Sequence, residues 1–319
     1  MVRDYDLSEE MAQLVHWSST FVGADDHIDS VRAAYDALSR NYTPPRDDAV
    51  FIEEASFEAN GASIALRLYR PKGRPPAAGW PVVLYLHGGG FMVGNLDSHE
   101  FVTAPMAKDL GAVVVAVDYR LAPESVYPAA FDDCLAAWRY VQAQSQVWQL
   151  DADRMALAGD SAGGMLVAAL SEVLKHDEAR PKGQVLIYPS LTAVAHFESH
   201  CEHAQAPLLS YRDMQYYWDQ YAHDVTLRTQ ANLSPLSALS FAALPPAFVA
   251  VAEYDPLCDE GRAYVERLLA AGVEAYLHEG VGLVHGALRM WRDCPETHRL
   301  YQSCLQALRN MLGLNDEAS

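Results

Sequence analysis

Eight short strand-like runs recur along this chain, near residues 50–57, 63–69, 82–86, 112–117, 154–158, 184–188, 247–252 and 273–278. Most of those after the second are separated by stretches of helical periodicity, such as 129–144, 161–175 and 260–271. Parallel strands need a crossover, and a crossover helix packs back on the sheet. The alternation therefore predicts an α/β fold, with a mostly parallel eight-stranded sheet and helices on both faces. The first two runs are the exception. Ala59-Asn60-Gly61-Ala62 joins them as a hairpin turn, so that pair is expected to be antiparallel. A last helix is expected over about 295–312, ending near Gly313. A chain of 319 residues, 50% hydrophobic, can bury one full core, although length alone would permit two domains. The sequence holds no internal repeat or low-complexity run.

Gly159-Asp160-Ser161-Ala162-Gly163 lies between the fifth apolar run and a helical stretch. A serine on a sharp strand-to-helix turn projects its hydroxyl above a sheet, and glycines two residues either side relieve the crowding. Ser161 is thus a candidate nucleophile. The same turn aims the Ala162 amide and the helix N-terminus at the site where an oxyanion would form. Upstream, the core strand Pro81 to Leu86 runs into His87-Gly88-Gly89-Gly90-Phe91. Consecutive glycines after a core strand are unfavourable for stability. No Lys-Ser/Thr follows, as a phosphate loop would require, and the glycine spacing is not that of a dinucleotide site. An oxyanion hole built from the amides of Gly88, Gly89 and Ala162 accounts for them.

A nucleophilic serine needs a base, and the base needs an orienting carboxylate. Asp255 follows the seventh run, and His285 lies in the loop after the eighth, Gly280 to Gly286. Both stand on the rim where Ser161 emerges, in the chain order Ser, Asp, His. Asp255 also reads as a turn former before Pro256, and Glu253 and Asp259 are fallback carboxylates.

The segments HGGGF at 87–91, DYRLAPE at 118–124, GDSAGG at 159–164, DPLCDEG at 255–261 and VHG at 284–286 match in order and spacing. Over about residues 50 to 312 the chain resembles the hormone-sensitive-lipase-like α/β-hydrolases, and is most similar to bacterial acetyl esterases and carboxylesterases. The resemblance implies short-chain carboxylic ester hydrolysis without a cofactor, with catalytic Ser161, Asp255 and His285. Amide hydrolysis is the runner-up chemistry. It also implies a structural role for DYRLAPE, with Arg120 pairing to Glu124. Met165 and Ala287 depart from the residues relatives carry there, asparagine and a bulky aromatic. With Phe91, Asp160 and Trp218 they are expected near the substrate pocket. Some relatives are non-catalytic small-molecule receptors that have lost the histidine, which is retained here. Others form a homodimer through the final strand or helix.

Residues 1–45 read as two helices, and 193–239 as an insertion carrying Tyr211, Tyr216, Tyr217, Trp218 and Tyr221. Together they are expected to cap a catalytic core of 46–192 and 240–319. The net charge of −19 argues against nucleic acid as a partner, and no basic amphipathic or long apolar stretch suggests membrane insertion. Met1 to Asp6 contain two acids and lead to no apolar core, so no secretory signal is expected. Five scattered cysteines, an odd count, fit reduced thiols in a cytoplasmic protein. His196, His200 and His203 fall on one face if their segment is helical. A zinc site there is weighed against a solvated polar face, and no metal is expected.

Overall fold

The computed structural model describes residues 5–314 except 22 and 26, so the first four residues of the opening hexapeptide lie outside the described residues. Helices α1 (Glu9–Thr20) and α2 (Ile28–Tyr42) precede the sheet. Strands β1 (Val50–Ala59) and β2 (Ala62–Pro71) form the antiparallel hairpin, with Asn60 and Gly61 at positive φ of 52° and 76°. Positive φ at both central residues gives the turn a twist that matches paired strands. There follow β3 (Trp80–Leu86), α3 (Glu100–Leu110), β4 (Val113–Asp118), α4 (Ala129–Ala143), β5 (Leu150–Asp160), α5 (Ala162–Leu174) and β6 (Gln184–Ile187). Then come α6 (Glu198–Glu202), α7 (Tyr211–Tyr221), β7 (Ala247–Tyr254), α8 (Cys258–Ala270), β8 (Ala275–Val284) and α9 (Pro295–Leu312).

The eight strands lie in the order β1-β2-β4-β3-β5-β6-β7-β8. Pairing is antiparallel at β1–β2 and β2–β4, and parallel everywhere else. Every residue of β3 is buried, and alternate side chains feed opposite faces. Val82, Leu84 and Leu86 pack in one core with Trp138 of α4, Leu166 of α5 and Leu268 of α8. Val83 and Tyr85 join Phe101 of α3 and Leu300 and Leu305 of α9 in the other. Each such aliphatic side chain contributes about 1.5–3 kcal/mol relative to exposure.

Two sequence expectations change. The stretch expected as a loop from Gly280 remains in β8 to Val284, because Gly280 still pairs with Ala252 of β7. A Cβ on Gly280 would stand 2.5 Å from the Val251 carbonyl oxygen, so glycine permits the strand to continue. Arg120 and Glu124 do not pair with each other. Arg120 forms a two-pronged bond to Asp133 at 2.8 and 2.7 Å, whereas Glu124 receives the Arg32 guanidinium through two contacts of 2.7 Å. Arg32 also donates to the carbonyls of Met92 and Ala122, tying α2 to both loops above the sheet. Among the described residues, no helix is long and apolar enough to cross a membrane.

Candidate active site

β5 ends at Asp160, and the chain reverses at Ser161 into α5. Ser161 has φ 53° and ψ −119°, a strained conformation costing on the order of 1–3 kcal/mol. The crossing is tight. A Cβ on Gly163 would lie 2.0 Å from the Leu86 carbonyl oxygen, and one on Gly159 would lie 2.7 Å from the Gly163 backbone. The strain is held by the Ser161 N–H donating to Ile187 O at 2.8 Å and by the Ser161 carbonyl accepting from Met165.

The ends of β7 and β8 bring the other two residues to the same rim. His285 Nε2 lies 2.9 Å from Ser161 Oγ, and its Nδ1 lies 2.6 Å from Asp255 Oδ2. With Asp255 ionised, Nδ1–H donates to the carboxylate and Nε2 is left to accept the serine proton. Asp255 is fully buried, and its second oxygen accepts the Leu257 N–H at 2.9 Å. Each oxygen of Asp255 therefore has its own partner, the imidazole for one and the turn amide for the other. Glu253 instead accepts the Gly282 N–H at 2.7 Å, and Asp259 engages Ser199 and Arg262. Neither fallback carboxylate takes the place of Asp255 on the imidazole.

The glycine loop needs one correction. The Gly88 N–H donates to Asp160 Oδ1 at 3.1 Å, so it is turned away from any substrate. Gly89 and Gly90 have φ of 124° and 58°, and with Ala162 they line the cavity over Ser161. Among the described residues, nothing accepts a hydrogen bond from the Gly89 or Gly90 amide. The Ala162 amide opens α5, where an N–H has no intrahelical partner. Among the described residues, Gly89, Gly90 and Ala162 thus line the cavity with amides that have no acceptor. His87 braces the loop by donating Nδ1–H to Gly88 O at 2.8 Å. Burial and the neighbouring His99 lower its pKa to about 3, which keeps it neutral.

Asp160 is the hub beneath the loop. Its carboxylate accepts from Tyr85 Oη at 2.8 Å and from Gly88, with His99 Nε2 at 3.4 Å. Burial acts to raise its pKa. The charge and hydrogen bond of His99, the Tyr85 hydroxyl and the Arg289 charge outweigh burial and hold the carboxyl well below its usual range.

The cavity measures about 200 Å³. Phe91, Asp160 and Trp218 line it as expected, whereas Met165 and Ala287 do not. Met165 is wholly buried one turn into α5, on the face packed against the core, and Ala287 is wholly buried in the opposite core. Phe91, at φ 63°, stacks on Tyr221 with centroids 3.9 Å apart. Tyr217 fills the space that a Gly90 Cβ would occupy.

Leu14, Tyr35 and Leu38 from α1 and α2 also reach the cavity, as do Tyr188, Met214 and Arg289. Sequence reasoning did not reach these as site residues. Only the aromatic content of the insertion hinted at a wall. Of the three clustered histidines, His196 and His200 stay together with ring centres 6.3 Å apart, whereas His203 turns elsewhere. His200 pairs with buried Glu260 at 3.0 Å, His196 meets the Tyr211 hydroxyl at 3.2 Å, and His203 lies against Tyr5 and Tyr254. His200 and His203 are buried and His196 is exposed, and α6, only five residues long, does not carry all three on one face.

The sequence family described as alpha/beta hydrolase fold matches residues 83–289. The chain is 38% identical over 295 residues to "Esterase LipI" of Mycobacterium tuberculosis, covering 90% of each protein. It is 35% identical to "Ethyl acetate hydrolase" of Pseudomonas putida, covering 89% of this chain and 90% of that one. Among solved structures, the hyperthermophilic esterase of the archaeon Pyrobaculum calidifontis superposes with a TM-score of 0.87 at 31% identity, covering 96% of this chain and 98% of that one.

Proposed function

This chain belongs to the alpha/beta hydrolase fold family, and from that footing we propose that it is a serine carboxylesterase acting on small esters. The observation that carries the reading is the unbroken line from Ser161 through His285 to Asp255, with contacts of 2.9 and 2.6 Å, under a cavity of about 200 Å³. Ser161 attacks the ester carbonyl as His285 takes its proton. The amides of Gly89, Gly90 and Ala162 receive the oxyanion, and His285 returns the proton to the departing alcohol. Water then enters by the same route and releases the acid from the acyl-enzyme.

Residues 1–45 and 193–239 serve as the cap over a core of 46–192 and 240–319. Support comes from the cavity walls, which take Tyr35 from the first segment and Tyr217 and Trp218 from the second. A cytoplasmic location is supported by five cysteines that are all free. Pairing of two copies through β8 is supported by its place at the sheet edge and by exposed Tyr276 and Val281.

A series of p-nitrophenyl esters of increasing acyl length tests the substrate class. Turnover should be greatest from acetate to butyrate and decline beyond. A steady rise with chain length would overturn the short-ester assignment.

A further inference from the structure

Arg289 stands four residues beyond His285, in the short 3-10 turn Ala287–Met290, and its side chain forms part of the catalytic cavity wall. Its Nε and Nη2 are sealed from solvent, and among the described residues nothing accepts a hydrogen bond from either. The guanidinium carbon lies 5.0 Å from the ring centre of Tyr35 and 5.8 Å from that of Phe101. Aromatic faces attract a cation but do not satisfy its N–H donors. Tyr35 supplies no counter-charge, because burial raises its pKa and keeps it a neutral phenol.

The acids of the site are already engaged. Asp255 is held by His285 and Leu257, and Asp160 by Tyr85, Gly88 and His99. Arg289 and Asp160 sense each other's charge through space. Nη1 would lie 3.3 Å from a Cβ on Gly286, the residue next to the base. The cavity wall that carries the catalytic imidazole thus also holds a permanent cation, which has the Tyr35 hydroxyl as a hydrogen-bond partner but no acceptor for Nε and Nη2. Removing such a group from water is unfavourable unless an anion completes it, and a guanidinium on the cavity wall attracts a carboxylate.

Resting on the esterase reading, we propose that the substrates are anionic esters, namely half-esters of short dicarboxylic acids, whose free carboxylate pairs with Arg289. The test compares kcat/KM for ethyl hydrogen succinate with that for ethyl 4-methylpentanoate, a neutral ester of matched shape. In Arg289→Gln the charged-to-neutral ratio should fall roughly 10- to 100-fold, the scale of a lost charge-assisted hydrogen bond, with the loss in KM. Arg289→Lys should restore part of it. An unchanged ratio, including an equal loss on both esters as a purely structural clamp on Tyr35 would give, overturns the proposal. Should Arg289→Gln fail to fold, inhibition of the wild-type protein decides. Succinate should inhibit p-nitrophenyl acetate hydrolysis more strongly than 4-methylpentanamide, and equal or weaker inhibition overturns the proposal. Hydrolysis of neutral esters without charge preference sinks this inference alone, whereas hydrolysis of neither ester sinks the esterase reading with it.

Discussion

A single imidazole links the hydroxyl of Ser161 to the buried carboxylate of Asp255, so changes at either end act on the same ring. Asp255→Asn should keep the ring in place but favour the wrong tautomer, lowering kcat by about 10⁴-fold, as steady-state kinetics would show. A loss below tenfold would remove Asp255 from the mechanism. Gly90 tests the donor assignment. A methyl there would meet the Tyr217 ring at 2.5 Å on a backbone of φ 58°. Gly90→Ala should therefore displace a donor and lower kcat by at least about 10²-fold, with near-normal KM. Unaltered kcat would exclude the Gly90 amide. The three triad residues were legible in the sequence because chain order and strand ends fix their rim. The donor set was not, because the direction of an amide depends on φ. The glycine string alone does not say that Gly88 turns down to Asp160.

The elements around the site divide in the same way. Periodicity identified α1, α2, α5 and α9 to within a few residues, because each has an apolar face and clear ends. It could not tell that Tyr35 and Leu38 of α2 reach the cavity over Ser161, which lies more than a hundred residues later. That placement depends on Arg32, whose guanidinium bonds Glu124, Met92 O and Ala122 O. Family likeness suggested that Glu124 pairs locally with Arg120, and only the tertiary contact shows it serving α2. Arg32→Ala should loosen α2 over the cavity and raise KM roughly tenfold, equivalent to about 1.4 kcal/mol of binding. Substrate titration checks this, and a change confined to kcat would argue against a positioning role for α2.

For the molecule as a whole, the acid excess of −19 makes burial of another carboxylate a stability liability. Asp118, at the end of β4, is raised to about 6 by burial, with Arg67 opposing and Asp97, Glu54 and Asp36 reinforcing the rise. A folded-state value above the unfolded one means that the folded protein holds this proton more tightly. The resulting stability is full below the unfolded value of about 3.9 and is lost as pH rises through about 6. Asp118→Asn should therefore be more stable than wild type above that pH, by up to about 3 kcal/mol, with the gap closing toward pH 4. Denaturant unfolding across that range would reveal it, and a gap of opposite sign would contradict the account. The most direct test of the mechanism is stoichiometric labelling with a p-nitrophenyl phosphonate, followed by peptide mass mapping and turnover of Ser161→Ala. One label per chain on the Ser161 peptide is predicted, together with a loss of turnover in Ser161→Ala of up to about a millionfold. A label on another residue, or turnover near the wild-type rate without the Ser161 hydroxyl, would contradict it.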